Sequence, residues 1–137
     1  MSVLQISLDL LKRHEGFKQF PYTDTVGKLT VGYGRNLGGR GIDNAEAEYL
    51  LRNDIIYTLS RLSELDFWDS LDETRQAVLV DMAVNLGVNG LLNFKKTLLA
   101  IRHGNYIEAS YEMLRSKWAT QVGGRAVELS NLMRGPV

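Results

Sequence analysis

Residues 14–35 read HEGFKQFPYTDTVGKLTVGYGR, and the architecture turns on this stretch. Two short extended runs, YTD at 22–24 and LTVGYG at 29–34, flank Thr25-Val26-Gly27-Lys28, a glycine-containing connection of the hairpin kind. Strand alternation sends Leu29, Val31 and Tyr33 to one face and Thr30, Gly32 and Gly34 to the other. The second face carries little side-chain bulk and is open to a ligand.

Before the hairpin, Leu4, Leu8 and Leu11 recur at helical intervals, and Glu15 falls next on the same stripe. Gly16 follows at once and suits a helix C-terminus, so Glu15 is expected in the last turn, facing apolar surroundings. After the hairpin comes a glycine-rich loop, 35–41. Asp43 with Glu46 then forms a capping-box-like start for a long helix with the stripe Leu51, Ile55, Leu59 and Leu62. At roughly 30 Å by the helical rise, such a helix is long enough to join two lobes.

The remainder reads as helical throughout. Ser70 with Glu73 is expected to cap a run carrying Val78, Leu79, Met82 and Leu86, which Gly87 ends. One helix is expected over about 91–103, and another opens at Asn105 with Glu108 and carries Ile107, Leu114 and Trp118. A last short helix follows Gly123 and Gly124. Trp68, Trp118, Met82 and Met113 are read as core. The fold class is therefore α+β and mostly helical, within a single domain over 1–137. A hairpin lobe at about 15–42 is joined by a linking helix at about 44–64 to a helical lobe at about 65–137, which takes in the N-terminal helix. The cleft is expected between the lobes.

Composition narrows the function. The 137 residues carry sixteen basic and sixteen acidic side chains, a net charge of zero that disfavours nucleic acid or an anionic membrane as partner. No cysteine is present, so disulfides and thiolate metal sites are excluded. The opening segment SVLQISLDLL contains Asp9 and lacks a basic start, unlike a secretory signal. No stretch approaches the roughly 20 apolar residues of a membrane span. The glycines at 32, 34 and 38 have the wrong spacing for a nucleotide loop. His14 and His103 are too isolated to suggest a metal site, and neither metal nor cofactor is expected.

The chemistry lies in two acids. Glycosidic hydrolysis needs one carboxyl group to protonate the leaving oxygen and another to activate water. Desolvation on the apolar stripe would keep Glu15 protonated as the acid, while Asp24 at the hairpin mouth stays hydrated and ionised. Thr30, across the hairpin, offers a hydroxyl to help hold the water. Each residue also has an ordinary reading. Glu15 suits a solvated helix end, Asp24 a turn bonding its own backbone, and Thr30 a strand.

Together, HEGF, PYTDTVGKLTVGYGR and the later NLG, SKW and GGRA segments resemble the phage lysozymes, over about residues 8–133. That resemblance implies a lysozyme-like fold. It also implies inverting hydrolysis of the β-1,4 bond between N-acetylmuramic acid and N-acetylglucosamine in peptidoglycan. Glu15 would be the general acid, with Asp24 and Thr30 positioning the water. It places Arg125 opposite the catalytic glutamate. It also transfers substrate binding to Gly34, Asn85, Thr97 and Gln121, whose ordinary reading is surface hydration.

Three departures stand out. Arg35 follows G-Y-G where the family's best-known member has an ion-paired histidine, so that pair is expected to be lost. The segment between hairpin and long helix is shorter, so a strand or turn is expected to be missing and the cleft more open. The neutral net charge leaves wall binding to local patches such as Lys95, Lys96, Arg115 and Lys117.

The implied biology is that of an endolysin: a monomer made in the host cytoplasm, not inserted in the membrane, and reaching peptidoglycan through a holin-type partner. Two alternatives stay open. A lytic transglycosylase would cut the same bond without water, leaving Asp24 and Thr30 idle, and a noncatalytic helical module would bind protein or nucleic acid.

Overall fold

The computed structural model describes residues 1–136, in the order α1 (Val3–Glu15), β1 (Lys18–Thr23), β2 (Leu29–Gly32), β3 (Arg35–Asn36), α2 (Asn44–Leu62) and α3 (Glu73–Leu86). These are followed by α4 (Val88–Leu92), α5 (Lys95–Arg102), α6 (Tyr106–Arg115), α7 (Lys117–Val122) and α8 (Gly124–Arg134). It is an α+β fold with the sheet confined to the N-terminal region. The chain divides into two compact units, Met1–Tyr49 and Leu50 onward, and the boundary falls inside α2.

In the first unit, Ser2 caps α1 by accepting from the Gln5 N–H (3.1 Å), and Gly16, at φ 70°, ends it. Within this unit its apolar stripe is left uncovered. No residue of α1 is buried, and Leu4, Leu8 and Leu11 are 76%, 42% and 51% exposed. Helical periodicity marks which face is apolar, not what surface meets it.

The sheet is antiparallel in the order β1-β2-β3. Lys18 pairs with Gly32 and Tyr22 with Thr30, so Gln19, Phe20 and Pro21 stand against Val31 alone. That bulge accommodates a proline, which has no N–H to give the ladder. β3 was not foreseen. Despite the short connection, Thr30 also pairs with Asn36 and Val31 with Arg35, adding a third strand to the hairpin. The turn at Tyr33-Gly34 ends the run that had been read as extended to Gly34.

The capping box of α2 forms as read: the Glu46 N–H donates to Asp43 Oδ1 (2.8 Å), and the Asp43 N–H donates to Glu46 Oε1 (2.9 Å). At the position where the resemblance placed an ion-paired histidine, Arg35 makes an ion pair of its own with Glu46. Arg35 Nη1 donates to Glu46 Oε1 (2.8 Å) and to the Gly41 carbonyl (3.1 Å), while Nη2 pairs with Glu46 Oε2. Arg35 thereby ties β3 and the connecting loop to the start of α2. Its hydrogen bond, with that of the Asp43 amide, lowers the Glu46 pKa from 4.5 to about 2.

The second unit holds the core. Leu62, Val78, Leu79, Met82, Leu91, Ile101, Met113 and Met133 are at most 1% exposed. Each such side chain contributes on the order of 1.5–3 kcal/mol by leaving water. Trp68 and Trp118 are buried as read, and Trp118 meets the edge of Phe94 at 6.0 Å.

Three boundaries differ from expectation. Asp72, not Ser70, caps α3 by accepting from the Arg75 N–H, because Ser70 is taken up in a 3₁₀ turn, Trp68–Ser70, where its Oγ donates to Phe67 O (2.6 Å). The helix expected over 91–103 is two, broken at Asn93-Phe94. Trp118 opens a separate helix, α7, because Ser116 leaves α6 in an extended conformation and caps the next helix through the Ala119 N–H (3.2 Å).

Arg75 locks α8. Its Nε and Nη2 donate to the carbonyls of Met133 (2.6 Å) and Arg134 (2.9 Å), and its guanidinium lies 3.7 Å from the centre of the Tyr106 ring. Those carbonyls belong to the last turn, whose oxygens have no partner within the helix.

Candidate functional site

Glu15, Asp24, Thr30 and Gly34 line a single cavity of about 700 Å³, built wholly from the first unit. Each arrives by a different local device. Helix α1 ends at Glu15, and Gly16 turns the chain directly into β1. Asp24 closes the hairpin. Its Oδ1 accepts from the N–H groups of Val26 (3.0 Å) and Lys28 (2.8 Å), and its own N–H donates to Lys28 O (2.9 Å). The turn-forming reading of Asp24 is therefore true, yet only one carboxylate oxygen is used. Among the described residues, Oδ2 makes no hydrogen bond.

Thr30 is 4% exposed, paired to Tyr22 on one side and Asn36 on the other. Its Oγ1 donates to Lys28 O (2.9 Å). With the hydroxyl proton committed to that carbonyl, Oγ1 offers lone pairs to a further donor. Asp24 Oδ2 and Thr30 Oγ1 are thus both acceptors, which suits a water molecule with two protons to give.

Glu15 is exposed rather than set among apolar side chains. What positions the carboxyl group is the glycine beneath it: a Cβ on Gly34 would lie 2.9 Å from Glu15 Oε2. Gly34, at φ 80°, adopts a conformation that favours glycine in any case.

Lys18, Tyr22, Thr23, Thr25, Lys28 and Asn36 complete the cavity wall. None had been singled out for the site. Strand register could have found Lys18 and Tyr22, but the bulge at Pro21 removes the simple alternation from which register is read.

The remaining sequence-derived positions belong to the second unit. Asn85 accepts at Oδ1 from the Trp118 indole N–H (2.8 Å), which leaves its NH₂ group available. Thr97 is 2% exposed and lines a groove of about 420 Å³ with Lys95, Lys96 and Arg115. Gln121 is exposed on α7. Arg125 is engaged by Asp81, with Nε donating to Oδ1 (2.8 Å) and Nη2 2.7 Å from the same oxygen. Among the described residues, no three His, Asp or Glu side chains gather closely enough to hold a metal ion.

The phage lysozyme family model matches residues 12–134, nearly the whole chain. The chain belongs to the phage lysozyme family. An endolysin of Acyrthosiphon pisum secondary endosymbiont phage 1 is 30% identical, over 98% of this chain and 92% of its own. A probable T4-type lysozyme of Dictyostelium discoideum is 27% identical, over 86% of this chain and 87% of its own. A SAR-endolysin of bacteriophage PS119 is 33% identical, over 81% of this chain and 66% of its own. In this chain Glu15, Asp24 and Thr30 line one cavity.

Proposed function

We propose that this lysozyme hydrolyses the β-1,4 bond between N-acetylmuramic acid and N-acetylglucosamine of bacterial peptidoglycan, with inversion at the cleaved carbon. The observation that carries the reading is the lining of one sugar-sized cavity by Glu15, Asp24 and Thr30. Glu15, on the flexible stem of a helix end, protonates the leaving oxygen. Asp24, fixed by two amide donors, takes a proton from water with Oδ2 while Thr30 Oγ1 accepts the other water O–H. A substrate lying over the exposed Glu15 carboxyl group would supply the water exclusion that the free protein does not. Binding by Gly34, Asn85, Thr97, Gln121 and Arg125 belongs to the same reading.

Family membership supports lysis of peptidoglycan, and the water-holding pair supports hydrolysis over the transglycosylase route. The test is turbidity loss of purified peptidoglycan with the wild type and Glu15→Gln. Product mass and the anomer first formed then follow. Reducing sugar of inverted configuration, made only by the wild type, is expected. Anhydro sugar would overturn the mechanism, and full activity of Glu15→Gln would overturn the reading altogether.

No helix among the described residues is long and apolar enough to cross a membrane. The endolysin names of relatives support a lytic role; that the enzyme is made in the host cytoplasm and released to the wall by a holin-type partner is our proposal. Expression with and without such a protein, followed by culture lysis, tests that dependence.

A further inference from the structure

Two cations share the cavity with the two acids. Lys28 lies two residues before Thr30 on the chain, and Lys18 pairs with Gly32, two residues after it. In an antiparallel sheet, directly paired residues and residues two apart on a strand share one face. Lys18 and Thr30 therefore stand on the same face, Lys28 immediately precedes β2, and all three line the cavity. In sequence, Lys28 and the Lys18 partner Gly32 lie on opposite sides of Thr30. Gly32, between Thr30 and the Lys18 position, adds no side chain to obstruct this face.

Both lysines are exposed, and neither forms an ion pair among the described residues. By contrast, the arginine on the neighbouring strand, Arg35, is fully engaged by Glu46. The cavity thus keeps two uncommitted ammonium groups flanking the reacting centre. A neutral sugar could accept hydrogen bonds from them but offers no charge to meet theirs. Every second sugar of peptidoglycan, however, carries a peptide stem with free carboxylates, which the Asp24 carboxylate alone would repel. The opposed placement of the lysines suits charged groups that recur along the strand rather than one compact anion.

We infer that Lys18 and Lys28 recognise stem-peptide carboxylates on the glycan strand and make the enzyme select free-acid stems over amidated or absent ones. The inference rests on the lysozyme reading for the identity of the glycan. An ammonium–carboxylate contact at an exposed site contributes about 0.2–1 kcal/mol, so two of them correspond to a preference of up to about thirtyfold.

The test compares peptidoglycan fragments of equal length whose stem carboxylates are free or amidated. Their affinities for Glu15→Gln protein are measured by calorimetry, so that nothing is cleaved. The free-acid form is expected to bind several-fold more tightly, with the preference shrinking as salt rises. Adding Lys18→Gln and Lys28→Gln should bring the ratio to about one, and Lys18→Arg with Lys28→Arg should restore it. Equal affinity for both forms, or a preference that survives loss of both lysines, overturns the inference. Wild-type hydrolysis of the same fragments is scored separately. Selective binding without cleavage would remove the lysozyme reading and leave the carboxylate sites standing.

Discussion

The carboxyl group of Glu15 rests on Gly34, so closely that a methyl group at Gly34 would stand 2.9 Å from Oε2 and 3.1 Å from the carboxyl carbon. Gly34→Ala must therefore push the acid aside or strain the turn, whose φ of 80° a side chain rarely adopts. The strain costs on the order of 1–2 kcal/mol, and a displacement of about 1 Å costs roughly a hundredfold in rate. Thermal melting and steady-state lysis read the two effects apart. Wild-type kcat in the alanine variant would show that Gly34 does not place Glu15.

Asp24 has two tasks that substitution can separate. Asparagine keeps an Oδ1 to accept from Val26 and Lys28 but removes the charge. Asp24→Asn is expected to melt near the wild type and to lose lysis by two or more orders of magnitude. Asp24→Ala should loosen the turn as well, at a cost of about 0.5–1.5 kcal/mol for the lost hydrogen bonds to exposed amides. Comparable lysis by Asp24→Asn and the wild type would confine Asp24 to the turn.

Glu46 gives the fold an acid limit. Its pKa is lowered from 4.5 to about 2 by Arg35 and the Asp43 amide. A depressed carboxylate contributes stability that is present above the unfolded value of 4.5 and lost as pH falls through about 2. Chemical denaturation of the wild type and Glu46→Gln should therefore differ most above pH 4.5 and converge towards pH 2. A difference that stays constant across that window would dissociate stability from this ion pair.

Arg75 should matter to folding and not to catalysis. Arg75→Met removes the hydrogen bonds to Met133 O and Arg134 O and the guanidinium over Tyr106. A loss of about 3 kcal/mol is expected from urea titration, at the strong end for hydrogen bonds made by a charged donor. Asp72 shares the consequence. Burial would raise its pKa, but the hydrogen bonds from the Arg75 side chain and amide hold it below the ordinary value. The variant should release it upward, measurable by carboxyl NMR titration.

Much of this molecule is legible in its sequence, and the gaps have physical causes. The α2 capping box and the Glu15-Gly16 helix end were readable because caps are local hydrogen-bond chemistry. The core tryptophans and methionines followed from hydrophobicity. The break at Asn93-Phe94 is not readable, since no proline or glycine marks it, and Ser70 reads as the cap because its competitor Asp72 lies only two residues on. In the candidate site, the need for two carboxyl groups and the resemblance to the phage lysozymes point to Glu15, Asp24 and Thr30, and the three line one cavity. The sequence could not reveal that Glu15 sits exposed over a glycine, or that Arg35 had found Glu46, because both depend on chain segments meeting in space.

The bulge at Pro21 bears on how the protein behaves in concentrated solution. β1 is an outer strand, and an uninterrupted outer strand offers amide groups on which a second molecule can extend the sheet. Here the bulge around Pro21 breaks the regular run of the strand, and Lys18 puts a charge near its start. Phe17 and Phe20 remain uncovered nearby, at 62% and 72% exposure, but the backbone beside them gives an incoming strand no continuous row to zip against.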